Sequence, residues 1–282
     1  MKGSPVIFGN APVNRYEDFI LLSPQDVHKG QLILVNQEHP VQTEAEHLIT
    51  LPSPLHQSSR SEEKQLLLSK TCMSQLHALL EECEAVDEIE IVSGFRSKET
   101  QQLLYEDTLV KRGAEYTAKY VALPGASEHQ TGLAVDVGLR RGKKDYIAPG
   151  FPDTGISGLF KKKAADFGFI RRYQKSKSVL TGIADEPWHY RYVGFPHSAI
   201  MEQLDLCLEE YISYLKEFNF GDTHLYVTDG HLSYEIYYVA AKEDFTLLPV
   251  PQHMKSAWEV SGNNADGFIM TAVHSERGAG ND

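Results

Sequence analysis

The stretch LPGASEHQTGLAVDVG, residues 123–138, decides how this chain folds and what it can hold. A polar turn with His129 runs into the apolar segment LAVDVGL, which predicts a buried strand carrying Asp136. A buried carboxylate needs a partner of opposite charge, and a cation supplies one. An alternative interpretation makes His129 a capped turn histidine and Asp136 a structural carboxylate, and this stretch alone leaves both open.

A second stretch, DEPWHYRYVG at residues 185–194, adds another histidine and another carboxylate. Glu186 precedes His189 by three residues, Pro187 restricts the backbone between them, and Trp188 offers an apolar wall. The pattern therefore predicts a fixed, partly dry setting for both side chains. A strand end with surface charges is the alternative for this stretch alone, but it does not account for both stretches.

Together the two stretches contain the groups of a catalytic zinc site. His129, Asp136 and His189 would be three protein ligands, which leaves a fourth tetrahedral position open for water. Glu186 could then accept the proton of that water. The sequence therefore predicts a zinc-dependent hydrolase.

These residues resemble those of the zinc D-alanyl-D-alanine peptidases of the VanY and VanXY type, a vancomycin-resistance carboxypeptidase and dipeptidase family. The motif S-x-H-x-x-G-x-A-x-D begins at Ser127, and E-x-W-H-x-R-Y-V-G begins at Glu186. A third family motif, S-G-[FY]-R-[ST]-x-x-x-Q, matches residues 93–101. The resemblance covers roughly residues 30–215, so both ends of the chain are interpreted without it.

The resemblance implies ligand roles for the three residues named above and the role of general base for Glu186. It also implies the substrate, which is the D-Ala-D-Ala dipeptide or a peptidoglycan precursor peptide ending in D-Ala-D-Ala. The D stereochemistry rests on the resemblance alone. The expected physiological role is glycopeptide resistance or cell-wall remodelling.

The resemblance implies that Arg96 and Gln101 lie beside the substrate, where Ser127 and Trp188 are expected as well. A solvated arginine and glutamine are the alternative for the first pair, and the motif context outweighs it. Arg96 follows a predicted strand and Ser97 caps the next helix, so Arg96 and Gln101 should point toward one rim. The guanidinium is always charged and would bind the carbonyl oxygen or the oxyanion. Ser127 either binds the peptide backbone or its terminal carboxylate, or stabilises the turn.

Periodicity of apolar residues predicts the elements around these motifs. Predicted strands are 19–23, 31–36, 88–95, 133–139 and 168–173, and predicted helices are 63–85, 98–112, 159–167 and 195–218. The first two strands are expected to form a hairpin. We expect an α+β fold in which a central antiparallel sheet with flanking helices holds the zinc site.

The last 60 residues are rich in β-strand signals and turns such as Asp-Gly. They predict a small antiparallel accessory unit, with Leu232, Tyr234, Ile236 and Tyr238 on one face. Alternatively, these strands complete the catalytic core. The expected domains are an N-terminal extension (1–29), a catalytic domain (30–219) and a C-terminal unit with a frayed tail (220–282). His224, His231, His253 and His274 are predicted surface or turn residues.

Composition excludes several classes of partner. The chain has 282 residues and a net charge of −12, which argues against binding nucleic acid or anionic lipid. Its three cysteines lack metal-binding spacing and are predicted to be reduced, buried thiols. Residues 139–158 form a predicted loop whose cations, Arg140, Arg141, Lys143 and Lys144, are expected to be solvated, with attraction of a carboxylate as the alternative. Oligomeric state stays open.

The chain contains no apolar run of the roughly 20 residues that a membrane span needs. Its first residues, MKGSPVIFGNAPV, also lack the blocks of a signal peptide. We therefore expect a cytoplasmic protein, or an extracytoplasmic one if an N-terminal anchor has been removed.

Two other functions compete with D,D-hydrolysis. An L,D-carboxypeptidase or wall endopeptidase would share all three motifs. A non-catalytic zinc-binding module would be expected to lose the base or the arginine, yet both Glu186 and Arg96 are present. The sequence thus favours an enzyme and leaves open whether it prefers the dipeptide or a longer peptide.

Overall fold

The computed structural model describes residues 5–10, 16, 18–51, 66–141, 145–251 and 257–275. The strands are β1 (Val6–Asn10), β2 (Asp18–Leu22), β3 (Leu48–Thr50), β4 (Leu67–Ser69), β5 (Ile89–Ser93), β6 (Ala134–Leu139), β7 (Phe169–Tyr173), β8 (Glu186–Tyr192), β9 (His224–Asp229), β10 (Leu232–Ala240), β11 (Thr246–Val250), β12 (Trp258–Gly262) and β13 (Gly267–Ser275). The helices are α1 (Lys70–Glu82), α2 (Lys98–Arg112), α3 (Ala114–Tyr120), α4 (Gly155–Lys163), α5 (Ser178–Thr181), α6 (His197–Leu204) and α7 (Leu208–Leu215). None of the helices in these residues could span a membrane. The cytoplasmic location stays a prediction.

The chain forms two compact units. One is Val35–Ser198, and the other combines Met1–Leu34 with Ala199–Asp282. This division differs from the three consecutive segments expected from the sequence, because the N-terminal residues group with the C-terminal ones. Lys143, Lys144 and His253 lie outside the described residues.

The unit Val35–Ser198 is built on a four-stranded sheet in the order β5-β6-β8-β7. Every neighbouring pair in this sheet is antiparallel, which confirms the predicted central antiparallel sheet. Helix α1 contributes Leu76, Leu79 and Leu80 to the same buried cluster as Val135 and Val137 of β6. The three leucines share a helical face because they are spaced by three and four residues.

Of the helix predicted over residues 63–85, residues 63–65 lie outside the described part of the chain, residues 66–69 are not helical, and the helix begins at Lys70. Leu67 and Leu68 lie in β4, which pairs with β3. Ser69 ends that strand and caps the helix, because its hydroxyl accepts a hydrogen bond from the backbone N–H of Cys72 at 3.4 Å. Strand pairing therefore overrides helix propensity in this leucine-rich segment.

The single helix predicted over residues 195–218 is two helices, α6 and α7. Asp205 lies between them with a φ of +50°, which a continuous helix does not allow. Glu210 then accepts a hydrogen bond from the backbone N–H of Cys207 at 2.9 Å and caps α7.

Cys72, Cys83 and Cys207 are buried free thiols, as predicted.

The second unit contains a five-stranded sheet in the order β1-β9-β10-β13-β12 and a two-stranded sheet of β11 and β2. Its N-terminal strands pair with C-terminal ones, β1 with β9 and β2 with β11. The predicted hairpin of residues 19–23 with 31–36 is therefore wrong. Residues 31–36 form no strand; instead the backbone N–H of Leu34 donates to the carbonyl of Asn263 at 3.1 Å.

His224 is fully buried, so its predicted surface position is wrong. Its Nδ1 lies 2.7 Å from Oε1 of the buried Glu235, which also accepts from the hydroxyl of Tyr226 at 2.8 Å. His274 is partly buried and approaches Oε2 of the same carboxylate at 3.0 Å. The two histidines lie beside Glu235 because a buried carboxylate needs partners. The available signal was Glu235 itself, a carboxylate within the apolar run of β10. His231 is exposed, as predicted.

Asn263 organises the turn between β12 and β13. Its buried Oδ1 accepts backbone hydrogen bonds from Ala265, Asp266 and Gly267 at 2.9, 2.9 and 3.0 Å. One side chain thus satisfies three donors that the tight turn leaves without carbonyl partners.

We expect Asn263→Ala to lower the free energy of unfolding by about 1–3 kcal/mol, because the variant leaves these donors without their acceptor. Urea denaturation of both proteins measures the difference. Asn219→Ala is the matched control, since Asn219 is exposed and donates one hydrogen bond to Lys216. Equal unfolding midpoints for Asn263→Ala and the control would contradict the structural role.

Candidate metal centre

The sheet brings the three predicted ligands together. Asp136 on β6 lies directly opposite His189 on β8 in the antiparallel register. His129 comes from the 3-10 helix Glu128–Thr131, which leads into β6. All three side chains are buried, and their ligand atoms lie within 4.8 Å of one another. This arrangement is able to hold a metal ion.

His129 has one ring nitrogen, Nε2, available to bind such an ion. Its Nδ1 lies 2.7 Å from the carbonyl oxygen of Gly94, so this nitrogen must carry the proton and donate. Its Nε2 is buried, lies 3.2 Å from Oδ2 of Asp136 and forms no hydrogen bond with any described residue. Buried polar atoms are almost always paired, so an atom left over beside a carboxylate fits a metal ligand.

Gly94 is placed for this contact by close packing of its backbone. A Cβ at this position would lie 2.5 Å from the carbonyl oxygen of Leu67, and that same oxygen accepts a hydrogen bond from Phe95 at 2.7 Å. Only glycine allows the loop after β5 to approach β4 so closely. The S-G-F-R motif therefore fixes the acceptor that orients His129.

His189 is held through both ring nitrogens. Nδ1 lies 2.9 Å from Oδ1 of Asp136, and Nε2 lies 3.3 Å from Oε2 of Glu128. The ring of Tyr173 packs on it with the centroids 4.9 Å apart. Burial disfavours the charged imidazole, but the hydrogen bonds to both carboxylates outweigh burial and raise the pKa of His189 to about 9.

The other two ligand candidates have the charge states that metal binding requires. Burial, together with the nearby Arg96, lowers the pKa of His129, so its ring is neutral. Burial alone would raise the pKa of Asp136, but the two histidines outweigh it and hold that pKa well below its usual range. A neutral imidazole and an ionised carboxylate are the forms that bind metals.

Glu186 lies beside the three ligand candidates, as predicted. It is the buried first residue of β8, and its Oε2 lies 3.9 Å from Nδ1 of His189. Residues three apart on a regular strand point to opposite faces, but the pairing of β7 with β8 shifts register between Arg171 and Tyr173. Burial raises the pKa of Glu186 to about 8, which suits a group that accepts and returns a proton.

Arg96 and Gln101 also face this cleft. Ser97 caps α2 as predicted, with its hydroxyl accepting from the backbone N–H of Thr100 at 3.2 Å. Nε of Arg96 and Oε1 of Gln101 are buried, and neither has a hydrogen-bond partner among the described residues. Burial lowers the pKa of the Arg96 guanidinium, but Asp136 and Glu186 counteract this shift and the group remains charged.

Ser127 and Trp188 complete the predicted set, and both line the same cleft. Ser127 is buried and makes no side-chain capping hydrogen bond to the 3-10 helix that it precedes. This disfavours the alternative in which its hydroxyl stabilises the turn. Trp188 is buried and belongs to the apolar cluster beneath the sheet.

Three charged residues next to the ligands were missed by the sequence interpretation: Glu128, Arg172 and Arg191. Oε1 of Glu128 accepts from Nε of Arg172 and from Nη1 of Arg191, each at 2.8 Å. Burial alone would raise the pKa of Glu128, but the two arginines and His189 hold it far below its usual range. The available signal was the presence of arginines inside apolar strands, since such residues need a buried partner.

The chain is similar in sequence to members of a known protein family. The profile of the family described as "VanY: D-alanyl-D-alanine carboxypeptidase" matches residues 65–195. The bifunctional D-Ala-D-Ala dipeptidase and D-Ala-D-Ala carboxypeptidase VanXYC of Enterococcus gallinarum is 39% identical over 189 residues, which are 66% of this chain and 95% of the relative. A D-alanyl-D-alanine carboxypeptidase of Enterococcus faecium is 34% identical, over 89% of this chain and 77% of the relative.

A solved structure matches the fold over most of the chain. It is the vancomycin resistance D,D-dipeptidase VanXYg in complex with a D-Ala-D-Ala phosphinate analog. The match has a TM-score of 0.83 and 38% sequence identity, and it covers 91% of this chain and 99% of that structure.

Proposed function

Because the chain belongs to the VanY family of D-alanyl-D-alanine carboxypeptidases, we propose that it is a zinc peptidase that hydrolyses the D-Ala-D-Ala bond. Its substrates would be the free dipeptide, peptidoglycan precursor peptides that end in D-Ala-D-Ala, or both. The physiological role would be glycopeptide resistance or cell-wall remodelling.

The single observation that carries this proposal is the group formed by His129, Asp136 and His189. Two imidazoles and a carboxylate suit zinc, and a three-residue ligand set is typical of catalytic rather than structural zinc. The unpaired Nε2 of His129 supports the fit independently of the family. Glu186 lies close enough to act on a water molecule bound among these groups.

Zinc bound by this triad would lower the pKa of its water and polarise the peptide carbonyl. Glu186 would accept the proton of the attacking water and then return it to the amine of the departing D-alanine. Its raised pKa of about 8 refers to the metal-free protein. A nearby cation favours the ionised carboxylate, so Glu186 would be a competent base in the loaded enzyme.

Arg96 would donate hydrogen bonds to the carbonyl oxygen as negative charge develops on it. Gln101 is anchored through Nε2, which donates to the carbonyl of Ala122 at 2.7 Å, and its unpaired Oε1 remains for a peptide N–H. Ser127 would bind the peptide backbone or the terminal carboxylate, and Trp188 would form an apolar wall.

We assign catalysis to the unit Val35–Ser198, since every residue named above lies in it. The role of the second unit as an accessory stays a proposal. A chain ending near Asn219 would lack β9 and β11, so β1 and β2 would lose their partners. A test of the accessory role therefore has to remove the N-terminal strands as well.

The proposed activity is tested by incubating zinc-loaded protein with D-Ala-D-Ala and, separately, with a muramyl pentapeptide, and measuring released D-alanine. Release from either substrate is expected. A tetrapeptide that ends in L-lysyl-D-alanine tests the L,D-carboxypeptidase alternative. Release from the tetrapeptide alone would replace the proposed function with that alternative, and release from none would indicate a non-catalytic module.

Glu186→Gln is expected to keep zinc and to lose most hydrolysis, because the amide cannot take a proton and the glutamate is not a ligand. Zinc content after dialysis and the rate of D-alanine release measure the two effects. His129→Ala is the contrasting variant and should lose zinc as well as activity. Parallel loss of zinc in Glu186→Gln would make Glu186 a ligand and remove it as the base.

Arg96→Ala is expected to lower kcat by about 10²–10³-fold, as the loss of one oxyanion donor does in other hydrolases. Steady-state kinetics separates this effect from substrate affinity. Arg96→Lys should restore only part of the rate, because lysine lacks the planar pair of donors. A rise in KM with unchanged kcat would instead assign Arg96 to binding the substrate in its ground state.

A further inference from the structure

Glu128 is a buried carboxylate next to a ligand candidate. It opens the 3-10 helix Glu128–Thr131, directly before His129, and its side chain has no exposed surface. Burying an ionised carboxylate is costly unless it is fully paired. The partners of the Glu128 carboxylate therefore indicate its role.

The two oxygens of Glu128 have different partners. Oε1 receives both guanidinium groups, from Arg172 on β7 and Arg191 on β8, each at 2.8 Å. These two bonds anchor the carboxylate to neighbouring strands of the sheet. Oε2 is directed at His189, whose Nε2 lies 3.3 Å away.

An ionised carboxylate has no proton to give, so Nε2 of His189 must be the donor in this contact. A neutral imidazole carries only one proton, and Nδ1 is then left with its lone pair. Nδ1 is also the nitrogen that faces Asp136, at 2.9 Å. Without a metal the charged ring donates through both nitrogens, to Asp136 and to Glu128. A metal binds only the neutral imidazole, so the proton on Nδ1 would leave and the contact with Glu128 would keep the other proton on Nε2.

We propose that Glu128, anchored by Arg172 and Arg191, is a positioning residue that holds the proton of His189 on Nε2 and presents Nδ1 as the metal ligand. This inference rests on the proposed function for the metal but not for the substrate. Carboxylates that orient ligating histidines typically contribute 10- to 100-fold to metal affinity or activity.

Glu128→Asp is the informative variant, because aspartate keeps the negative charge beside both arginines but is one methylene too short to keep all three contacts. We expect its zinc Kd, measured by competition with a chromophoric chelator, to rise about 10- to 100-fold. Saturating zinc should restore most hydrolysis, whereas it should not rescue Glu186→Gln. The unfolding midpoint of the metal-free variant should stay near that of the metal-free wild type.

Glu235→Asp is the matched control, since Glu235 is a fully buried carboxylate that bonds to His224 in the other unit. Its zinc Kd should equal that of the wild type. A zinc Kd for Glu128→Asp within about twofold of the wild type would overturn the proposal. Wild-type protein that binds zinc but releases no D-alanine would refute the proposed function and leave this inference standing.

A second measurement tests the proposal on the wild type first, where the folding of a variant plays no part. Nitrogen-15 NMR of the zinc-loaded wild type should show the His189 proton on Nε2, in a strong hydrogen bond, and the metal on Nδ1. In Glu128→Asp the proton signal should move upfield and exchange faster with water. Metal found on Nε2 of the wild type would overturn the proposal.

Discussion

The site depends on the pairing of β6 with β8, which sets Asp136 directly opposite His189. Side chains alternate between the faces of a sheet, so a slip of one residue would send His189 to the opposite face from Asp136. The register is supported on both sides, by β5 beyond β6 and β7 beyond β8. Val135 and Val137 of β6 also fix this register, because they alternate with Asp136 along the strand. Both are fully buried in the apolar cluster that includes the leucines of α1. Packing of the core thus determines the geometry of the polar groups.

Buried charge is the second constraint. Glu128, Asp136 and Glu186 are all at most 6% exposed, and such groups persist only with compensating partners. Arginines neutralise Glu128 from two strands, and a protonated His189 stabilises Asp136 while no metal is bound. Glu186 approaches a cation only at the longer distance of 3.9 Å, to Nδ1 of His189, and burial outweighs this contact and raises its pKa to about 8. Carboxylates in one cleft therefore differ in protonation because their partners differ, which distinguishes the proposed ligand Asp136 from the proposed base Glu186.

The second unit follows the same physical rule with different residues. Glu235 is buried in the centre of its sheet and is compensated by the hydroxyl groups of Tyr16 and Tyr226 and by two histidines. Tyr16 comes from the N-terminal segment, and β1 and β2 add strands to sheets made of C-terminal residues. The two ends of the chain thus stabilise each other in one unit. None of the residues assigned to catalysis lies in this unit.

The sequence by itself predicted the residues of the candidate centre from two short stretches, because metal binding and proton transfer require particular residue types: His129, Asp136 and His189 as ligands and Glu186 as the base. It also determined β6 and α2, whose signals are local: an apolar run in one and a serine cap in the other. Only the tertiary structure decided which atoms face each other. Four features depend on contacts between different elements of the chain. They are the contacts of Glu128 with two arginines and His189, the start of α1 at Lys70, the burial of His224 and the pairing of β1 with β9. Contacts of this kind depend on how elements pack, and local propensity carries no information about that packing.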